Sequence, residues 1–479
     1  MYLGIDIGTS GVKALIIAPD GGVVAQASAP LSVSRPHDLW SEQAPDDWWA
    51  ACDAAVMALP VDLRQAVAGV GLAGQMHGAT LLGADDRPLR PAILWNDGRS
   101  FAECAELEAA VPALRSITGN IAMPGFTAPK LAWVRKHEPD LFAQIRTVLL
   151  PKDYVRLCMT GDKASDMSDS AGTLWLDVAA RDWSDVMLAA TGLGREHMPR
   201  LYEGNQPTGV LLADIADRWG MARVPVAAGA GDNAAGAIGV GVVADGDALL
   251  SLGTSGVIFV ANAQFQPNPD RAVHAFCHCL PNLWHQMSVH LSAASCVDWA
   301  ARLVGASVPD FFALAEQAGA ACGPELFLPY LSGERTPHND PHVRGAFLHL
   351  DNDSDPARMA AAVLEGVAFA HADGLAALRE AGTQIDCLKV IGGGARSRYW
   401  GTILAAALDV RLQYCDGGET GPALGAARLV QMAATGASAA DVCVSPPVLD
   451  EITPDPALSA RLAPKLDRFR RAYAAIRDI

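Results

Sequence analysis

The sequence lacks the features of exported, membrane-bound and nucleic-acid-binding proteins. No basic segment precedes an apolar stretch at the amino terminus, and Asp, Gly or Pro interrupts the long apolar runs, so we expect neither export nor membrane insertion. The net charge is −17 and no run of five like charges occurs, which disfavours nucleic acid and anionic membrane surfaces as partners. We therefore expect a cytoplasmic protein.

Cysteine pairs and a P-loop are also missing. The ten cysteines are scattered, with only Cys277 and Cys279 close together, which is not typical of a secreted disulfide protein. No Gly-x-x-x-x-Gly-Lys-Ser/Thr motif occurs, and this argues against a P-loop enzyme.

The length and the local patterns predict a two-domain α/β protein. At 479 residues, with 51% hydrophobic and 19% charged residues, the chain can fill two large cores. In each half, β-rich runs alternate with Ala- and Leu-rich helical stretches, such as 359–378 and 399–408, which favours α/β layers. We place the boundary at residue 243, giving domains 1–243 and 244–479.

Each half begins with the same short pattern, a β-rich run, a Gly-Thr-Ser-Gly turn and a second β-rich run, over 4–17 and 249–260. This pattern predicts two equivalent hairpins. Such turns allow close backbone approach and offer N–H and hydroxyl donors to phosphate oxygens. We therefore assign phosphate contacts to Thr9, Ser10, Lys13, Gly253 and Thr254.

The two copies differ where Asp6 in the first is replaced by Ser251 in the second. A carboxylate suits Mg²⁺, which takes one or two carboxylates together with phosphate oxygens. We predict that Asp6 holds the metal; the alternative is an acid that caps the turn.

Asp232 follows two glycines at a predicted strand-to-helix turn, in Gly229-Ala230-Gly231-Asp232-Asn233. It could cap the helix, or it could accept the proton of a substrate hydroxyl during phosphoryl transfer. Both roles are compatible, and a helix N-terminus is expected to lower its pKa.

A second glycine-rich turn, Gly392-Gly393-Gly394-Ala395-Arg396-Ser397, follows an apolar strand. Backbone without side chains lets a nucleotide lie close, although such turns are frequent in α/β proteins of all functions, and Gly393, Gly394 and Ser397 are the candidate ATP contacts. Met76-His77, before a glycine and near several tryptophans, is placed to reach a sugar cleft, with Asn233 as a further polar group.

Four histidines and two cysteines between residues 274 and 290 invite a zinc interpretation. Their spacing fits no familiar structural zinc pattern, and Pro281-Asn282 between two β-rich runs predicts a hairpin instead. We therefore favour the hairpin.

Taken together, these segments resemble the FGGY carbohydrate kinases over essentially the whole chain. The resemblance is carried by 6–13, 34–37, 40–43, 74–78, 94–99, 125–137, 231–233 and 392–396. It implies two actin-like, ribonuclease-H-like domains with ATP and sugar in the cleft between them.

The resemblance also implies residue roles. Asp232 becomes the proton acceptor, Met76 and His77 bind the sugar, Asp6 acts at the Mg²⁺-phosphate end, and Gly393-Gly394 binds the nucleotide. D-xylulose phosphorylated at O5 is the expected reaction, with a homodimer as the expected state.

The sequence leaves three alternative functions open. They are a family member acting on ribulose, fuculose, gluconate or glycerol, a non-sugar actin-like ATPase, and a sugar-responsive regulator, which should carry a basic DNA-binding module.

Overall fold

The structure is a computed structural model that describes residues 1–416 and 421–477. The strands are β1 (Tyr2–Ile7), β2 (Gly11–Ile17), β3 (Val23–Pro30), β4 (Glu42–Gln43), β5 (Val70–Gly74), β6 (Thr80–Leu82), β7 (Ala92–Ile93), β8 (Thr147–Leu149), β9 (Ala164–Asp166), β10 (Leu176–Asp177), β11 (Asp182–Trp183), β12 (Arg200–Tyr202), β13 (Pro207–Val210), β14 (Pro225–Ala227), β15 (Ala230–Gly231), β16 (Ala248–Leu252), β17 (Gly256–Asn262), β18 (His274–Cys277), β19 (Trp284–His290), β20 (Leu326–Leu328), β21 (Ala346–Leu348), β22 (Cys387–Ile391), β23 (Arg411–Cys415) and β24 (Val448–Ile452).

Helices alternate with these strands in both halves. They are α1 (Pro45–Met57), α2 (Val61–Gln65), α3 (Phe101–Ala110), α4 (Leu114–Thr118), α5 (Thr127–His137), α6 (Pro139–Phe142), α7 (Pro151–Thr160), α8 (Met167–Ala171), α9 (Asp185–Ala190), α10 (Ala213–Trp219), α11 (Asp232–Gly239), α12 (Ala294–Leu303), α13 (Val308–Ala318), α14 (Pro356–Glu380), α15 (Arg398–Leu408), α16 (Gly421–Thr435), α17 (Ala439–Val442) and α18 (Pro456–Ile476). The helices expected at 359–378 and 399–408 are confirmed as parts of α14 and α15. The helical spacing of residues 456–479 also predicts a carboxyl-terminal helix, which is confirmed as α18; residues 478 and 479 lie outside the described residues.

Two seven-stranded sheets follow the same plan, which confirms the duplicated α/β architecture. In the first sheet, an antiparallel β1–β2–β3 meander is extended by parallel β5 and β14 and closed by antiparallel β13. In the second, β16, β17 and β19 form the meander, β22 and β23 extend it, and β24 closes it. Both predicted hairpins are therefore present, at matching places in matching sheets.

The sheet centres are buried on both faces, as their nearly continuous apolar sequences require. In β1, five of six residues are buried, and Asp6 is the partly exposed one. Helix α14 is long and apolar enough to cross a membrane, but 94% of its most apolar window is buried inside the protein. Its hydrophobic residues thus serve the core of the second half.

Helix α16 is distant in sequence from the first sheet but packs directly on it. A Cβ on Gly4 of β1 would lie 1.9 Å from the Ala423 carbonyl oxygen, and one on Gly71 of β5 would lie 1.9 Å from that of Ala426. Helix α16 also packs on α11, where a Cβ on Gly425 would likewise clash with the Ala235 carbonyl oxygen. A division of the chain at residue 243 therefore leaves one helix of the second segment on the first sheet.

Candidate active site

Asp6 lies inside β1, opposite Lys13 of β2 in the hairpin register, and not in the turn. Its Oδ1 is buried and has no hydrogen-bond partner among the described residues, so the structure does not support the turn-capping alternative. Burial raises the pKa of Asp6 to about 7, with the charge of Asp232 adding to the rise and that of Lys13 opposing it. A buried carboxylate oxygen without a donor is a fitting ligand for a hard cation.

Asp232 is the first residue of α11, and Gly231 occupies the cap position. Its Oδ1 accepts hydrogen bonds from the backbone N–H of Asn233 at 2.7 Å and from the side-chain amide of Asn233 at 2.9 Å. Burial raises the pKa of Asp232 to about 6, although these two bonds oppose the rise. The expectation of a lowered pKa was therefore wrong, because desolvation outweighs the helix N-terminus.

Asp232 and Asn233 line two neighbouring cavities. The first, of about 290 Å³, is also lined by Met76, His77, Trp95, Met123, Gly125, Phe126, Ser255, Val257, His274, Phe276, Met287, Val289, Leu291 and Arg335. The second, of about 230 Å³, reaches Ser251, Ile391 and Gly421. A third, of about 410 Å³, begins at Ile391 and follows the glycine-rich turn past Gly392, Arg396 and Tyr414. The carboxylate of Asp232 thus borders both the first and the second cavity.

His77 lies on the wall of the first cavity in a left-handed backbone conformation, with φ of 70°. Its carbonyl oxygen accepts hydrogen bonds from the Lys130 ammonium at 2.8 Å and from the Thr127 hydroxyl at 3.2 Å, which hold this conformation. Its Nδ1 lies 2.5 Å from the Gly172 carbonyl oxygen. A carbonyl can only accept, so Nδ1 carries the hydrogen.

The other ring nitrogen of His77 is consequently an acceptor. Burial, with help from the charges of Lys130 and Arg335, lowers the pKa of His77 to about 3, so the ring is neutral near pH 7. Nε2 can then accept a hydrogen bond from a ligand hydroxyl. Met76 lies beside it and packs against Gly172 and Gly231.

The first hairpin turn is tied to its surroundings through Thr9. The Thr9 hydroxyl donates to Gln75 at 2.9 Å and accepts from the Trp95 indole at 3.0 Å. Ser10 is exposed, whereas Lys13 is half-buried in β2. In the second turn, the carbonyls of Gly253 and Thr254 accept backbone N–H groups at the start of α12.

The glycine-rich turn is packed unevenly. A Cβ on Gly393 would meet nothing within 4 Å, whereas one on Gly394 would lie 2.7 Å from Leu252 Cβ and 2.8 Å from Trp400. Only Gly393 therefore presents open backbone. The hydroxyl of Ser397 caps α15 by accepting from the Trp400 N–H at 3.2 Å, so that side chain has a structural task besides the predicted nucleotide contact.

Polar residues within 94–99, one of the segments that carry the family resemblance, form buried contacts. Asp97 accepts from the Ser41 N–H at 2.6 Å and pairs with Arg99 at 2.7 Å, and Arg99 also pairs with Glu42.

Strands β18 and β19 form the predicted hairpin. Within 1–416 and 421–477, no group of three or more His, Cys, Asp or Glu side chains could hold a metal ion.

Arg335, His274, Phe276 and Gly172 complete the site but were not assigned to it from the sequence. Arg335 lies in the short polar sequence Gly333-Glu334-Arg335-Thr336-Pro337. This pattern could have marked it as a site residue. His274 drew attention only as a member of the histidine and cysteine cluster, and Phe276 and Gly172 carried no signal, because only tertiary packing brings them to His77.

Two sheets of matching topology, with the carboxylate of Asp232 between two neighbouring cavities, fit a two-domain kinase of the actin-like class. The N-terminal domain model of the FGGY family of carbohydrate kinases matches residues 1–239, and the C-terminal domain model matches 248–434. The chain belongs to the FGGY family of carbohydrate kinases.

Its relatives include xylulose kinases. The chain is 56% identical over 476 residues to the xylulose kinase of Escherichia coli K12, covering 99% of this chain and 98% of that one. It is 52% identical to the xylulose kinase of Klebsiella pneumoniae over the full length of both. The crystal structure of a xyloylose kinase from Brucella ovis superposes with a TM-score of 0.96, at 53% identity and 99% coverage of each chain.

Proposed function

We propose that this kinase transfers the γ-phosphoryl group of ATP to O5 of D-xylulose. The observation that carries the proposal is the place of Asp232, which borders the first cavity on one side and the second on the other. The sugar occupies the first cavity, against Met76 and His77, and the polyphosphate extends through the second toward the glycine-rich turn. The names of the two bacterial relatives support D-xylulose as the sugar.

Asp232 acts as the proton acceptor. The hydroxyl oxygen O5 attacks the γ-phosphorus, the bond from the γ-phosphorus to the bridging oxygen breaks, and ADP leaves. The O5 proton passes to Asp232, which is mostly ionised at pH 7 because its pKa is about 6. In a loose transition state the proton moves late, so the carboxylate first orients the hydroxyl. His77 Nε2 accepts from another hydroxyl and holds the sugar in place.

The hairpin turns and the glycine-rich turn hold ATP. Backbone N–H groups and hydroxyls suit phosphate oxygens because they donate hydrogen bonds. The chain as a whole is strongly anionic, so ATP can bind only where such donors make the local potential favourable. Thr9, Ser10 and Lys13 bind from one sheet, and Gly253 and Thr254 bind from the other. Gly393, Gly394 and the start of α15 at Ser397 form the nucleotide end.

Asp6 is the residue that would hold Mg²⁺, because its buried Oδ1 has no donor in the described part of the chain. When bound, the ion offsets negative charge on the phosphates. The matching position in the second hairpin is Ser251, which carries no carboxylate.

A coupled assay of ADP release tests the proposal. The purified enzyme is given D-xylulose, ribulose, fuculose, gluconate and glycerol, each with Mg-ATP, and ³¹P–¹³C coupling in the product identifies the phosphorylated carbon. We expect the highest kcat/KM with D-xylulose and phosphate on C5. A different best substrate would reject the sugar but keep the kinase.

We further propose a cytoplasmic enzyme that forms a homodimer and has no nucleic-acid or membrane partner. The scattered free cysteines and the net charge of −17 support the compartment and the absence of such partners. Light scattering coupled to size exclusion measures the mass in solution; the chain mass of 50.1 kDa instead of twice that value would reject the dimer.

A further inference from the structure

Arg335 reaches the sugar cavity from the second half of the chain and is held firmly there. Glu334 Oε1 accepts from the Arg335 backbone N–H at 2.8 Å and from the Leu291 N–H at 3.0 Å. On the other side, Thr336 exchanges two hydrogen bonds of 3.0 Å with Val289. Because both neighbours are buried and tied to the end of β19, the position of Arg335 is fixed by the core.

The guanidinium of Arg335 has no ionic partner. No carboxylate within 1–416 and 421–477 lies within ion-pair distance of it, and its side-chain contact is with Met123 Sδ, from the first half of the chain. Its charge acts on His77 and His274 across the cavity. Burial lowers the pKa of Arg335, and the charge of the neighbouring Glu334 opposes this effect without forming an ion pair with the guanidinium. A mostly buried cation without a direct ion pair is stabilised by acceptors on a ligand, since desolvation without compensation is costly.

Each of the other side chains on this cavity that carries an N–H group already donates one hydrogen bond within the protein, and only the Asn233 amide keeps a second N–H, at the end shared with the second cavity. The Trp95 indole donates to Thr9, and the amide of Asn233 donates to Asp232. The Nδ1 of His77 donates to Gly172. His274 Nδ1 donates to Asn120 Oδ1, because the Asn120 amide itself donates to two carbonyls.

The cavity is therefore chemically polarised. Asp232 and His77 Nε2 can only accept, whereas Arg335 can only donate. Asp232 lies at the end shared with the second cavity, and Arg335 lies with His274 and Met123 at the part that is not shared. A ligand that fits carries a hydroxyl at one end and an oxygen acceptor at the other.

The chemistry of the proposed reaction, on which this step rests, supplies that acceptor. A 2-ketopentose closes its ring through O5, so O5 can receive a phosphoryl group only while the sugar is open. The open form has a free carbonyl at C2. A carbonyl oxygen accepts without donating, and it is therefore the ideal partner for a guanidinium.

We infer that Arg335 is the residue that recognises the C2 carbonyl of the open-chain ketose, and that it selects ketoses over the corresponding sugar alcohols. The hydrogen bond also joins the two halves of the chain through the sugar, because Asp232 and His77 belong to the first and Arg335 to the second.

The test compares D-xylulose with xylitol, which differs at C2 alone. Dissociation constants for both are measured by calorimetry without ATP, and kcat/KM is measured for D-xylulose. Arg335→Met keeps the length of the side chain but removes its donors. We expect D-xylulose binding and kcat/KM to fall by about 10- to 100-fold, the effect of losing a hydrogen bond to a charged donor. Xylitol binding should change less than about threefold, within the range of a packing adjustment.

Arg344→Met is the matched control, since Arg344 is in the same loop but donates to the carbonyls of Pro341 and Val343. It should leave both ligands unaffected. If Arg335→Met does not fold, Arg335→Lys is compared with the same ligands, and an unequal loss that favours xylitol supports the inference. Equal losses of affinity for the ketose and the alcohol, or no loss for either, would overturn the inference. Arg335 would then only form a contact between the two halves of the chain.

Failure of the proposed substrate is distinguishable from failure of this inference. If the unaltered enzyme prefers another sugar in the ADP-release panel, the substrate proposal fails there. If it prefers D-xylulose and Arg335→Met keeps the ketose-to-alcohol ratio, the inference alone fails.

Discussion

The hydrogen bonds that Asn233 donates to Asp232 both end on one oxygen, Oδ1, at 2.7 and 2.9 Å. The carboxylate is thus fixed in orientation by its own neighbour in the chain. Within the described residues, no hydrogen bond engages Oδ2, which can take a proton from a substrate hydroxyl.

Asp232→Asn should lower kcat for sugar phosphorylation by about 10²- to 10⁴-fold, the range for loss of a positioned acid–base group. ATP binding should change little, because the amide preserves the size of the side chain. Asp214→Asn, at an exposed position early in α10, is the control and should keep full activity. A nearly normal kcat for Asp232→Asn would leave this acid with a structural task only.

The same variant should be more stable than the unaltered enzyme at high pH. Asp232 has a pKa of about 6 in the fold against 3.8 for an unperturbed aspartate, so the folded state binds its proton more tightly. Protonated Asp232 contributes its full share to the free energy of unfolding below pH 4, and this contribution is lost as the pH rises through 6. The total loss is about 3 kcal/mol. Thermal unfolding of the ligand-free proteins at pH 5 and 8 measures it. We expect the advantage of Asp232→Asn to be about 1 kcal/mol larger at pH 8; an advantage that shrinks with pH would contradict the raised pKa.

Asp6→Ala and Ser251→Ala test the one asymmetry between the two hairpins. Loss of the Asp6 carboxylate should raise the Mg²⁺ concentration needed for half-maximal activity by at least about tenfold, since it removes a charged ligand. Ser251→Ala, at the matching position, should shift it little. Magnesium titrations at saturating ATP and sugar give both values, and equal shifts would undo the assignment of the metal to Asp6.

His77 variants should weaken sugar binding and leave ATP binding unchanged. Removing the Nε2 acceptor should raise KM for D-xylulose by about tenfold, and this effect should be constant from pH 6 to 9 because the pKa of His77 is about 3. His77→Asn is preferable to His77→Ala, since Asn tolerates the left-handed conformation with φ of 70°. A sugar KM that varies with the protonation of His77 near pH 6.5 would show that the ring is not held neutral.

Gly393→Ala and Gly394→Ala should separate ligand contact from packing. The first adds a methyl group to open space and should keep the unfolding temperature while raising KM for ATP by about tenfold. The second places a methyl group against Leu252 and Trp400 and should cost about 1–3 kcal/mol of stability. Thermal unfolding and ATP kinetics on both variants provide the comparison. An unchanged ATP KM in Gly393→Ala would move the nucleotide away from this turn.

The sequence predicted the features that depend on local pattern. The two hairpins follow from alternating apolar runs around Gly-Thr-Ser-Gly, and Asp232 follows from its position after a strand and two glycines. Features that depend on distant packing were beyond reach. The raised pKa of Asp232 reflects burial in the folded chain, and Arg335 contacts Met123 across more than two hundred residues of chain.

The attachment of α16 to the first sheet has a consequence for how the protein is made. Leu15, Ile17 and Ala227 share a hydrophobic cluster with Leu424 and Val430 of that helix. This face of the first sheet therefore lacks the helix that packs on it until residue 435 has left the ribosome. The amino-terminal half therefore cannot mature first during synthesis, as early segments usually do. A nascent chain halted between the two halves would expose apolar β-structure and depend on a chaperone, and gene fragments cut there would yield insoluble protein.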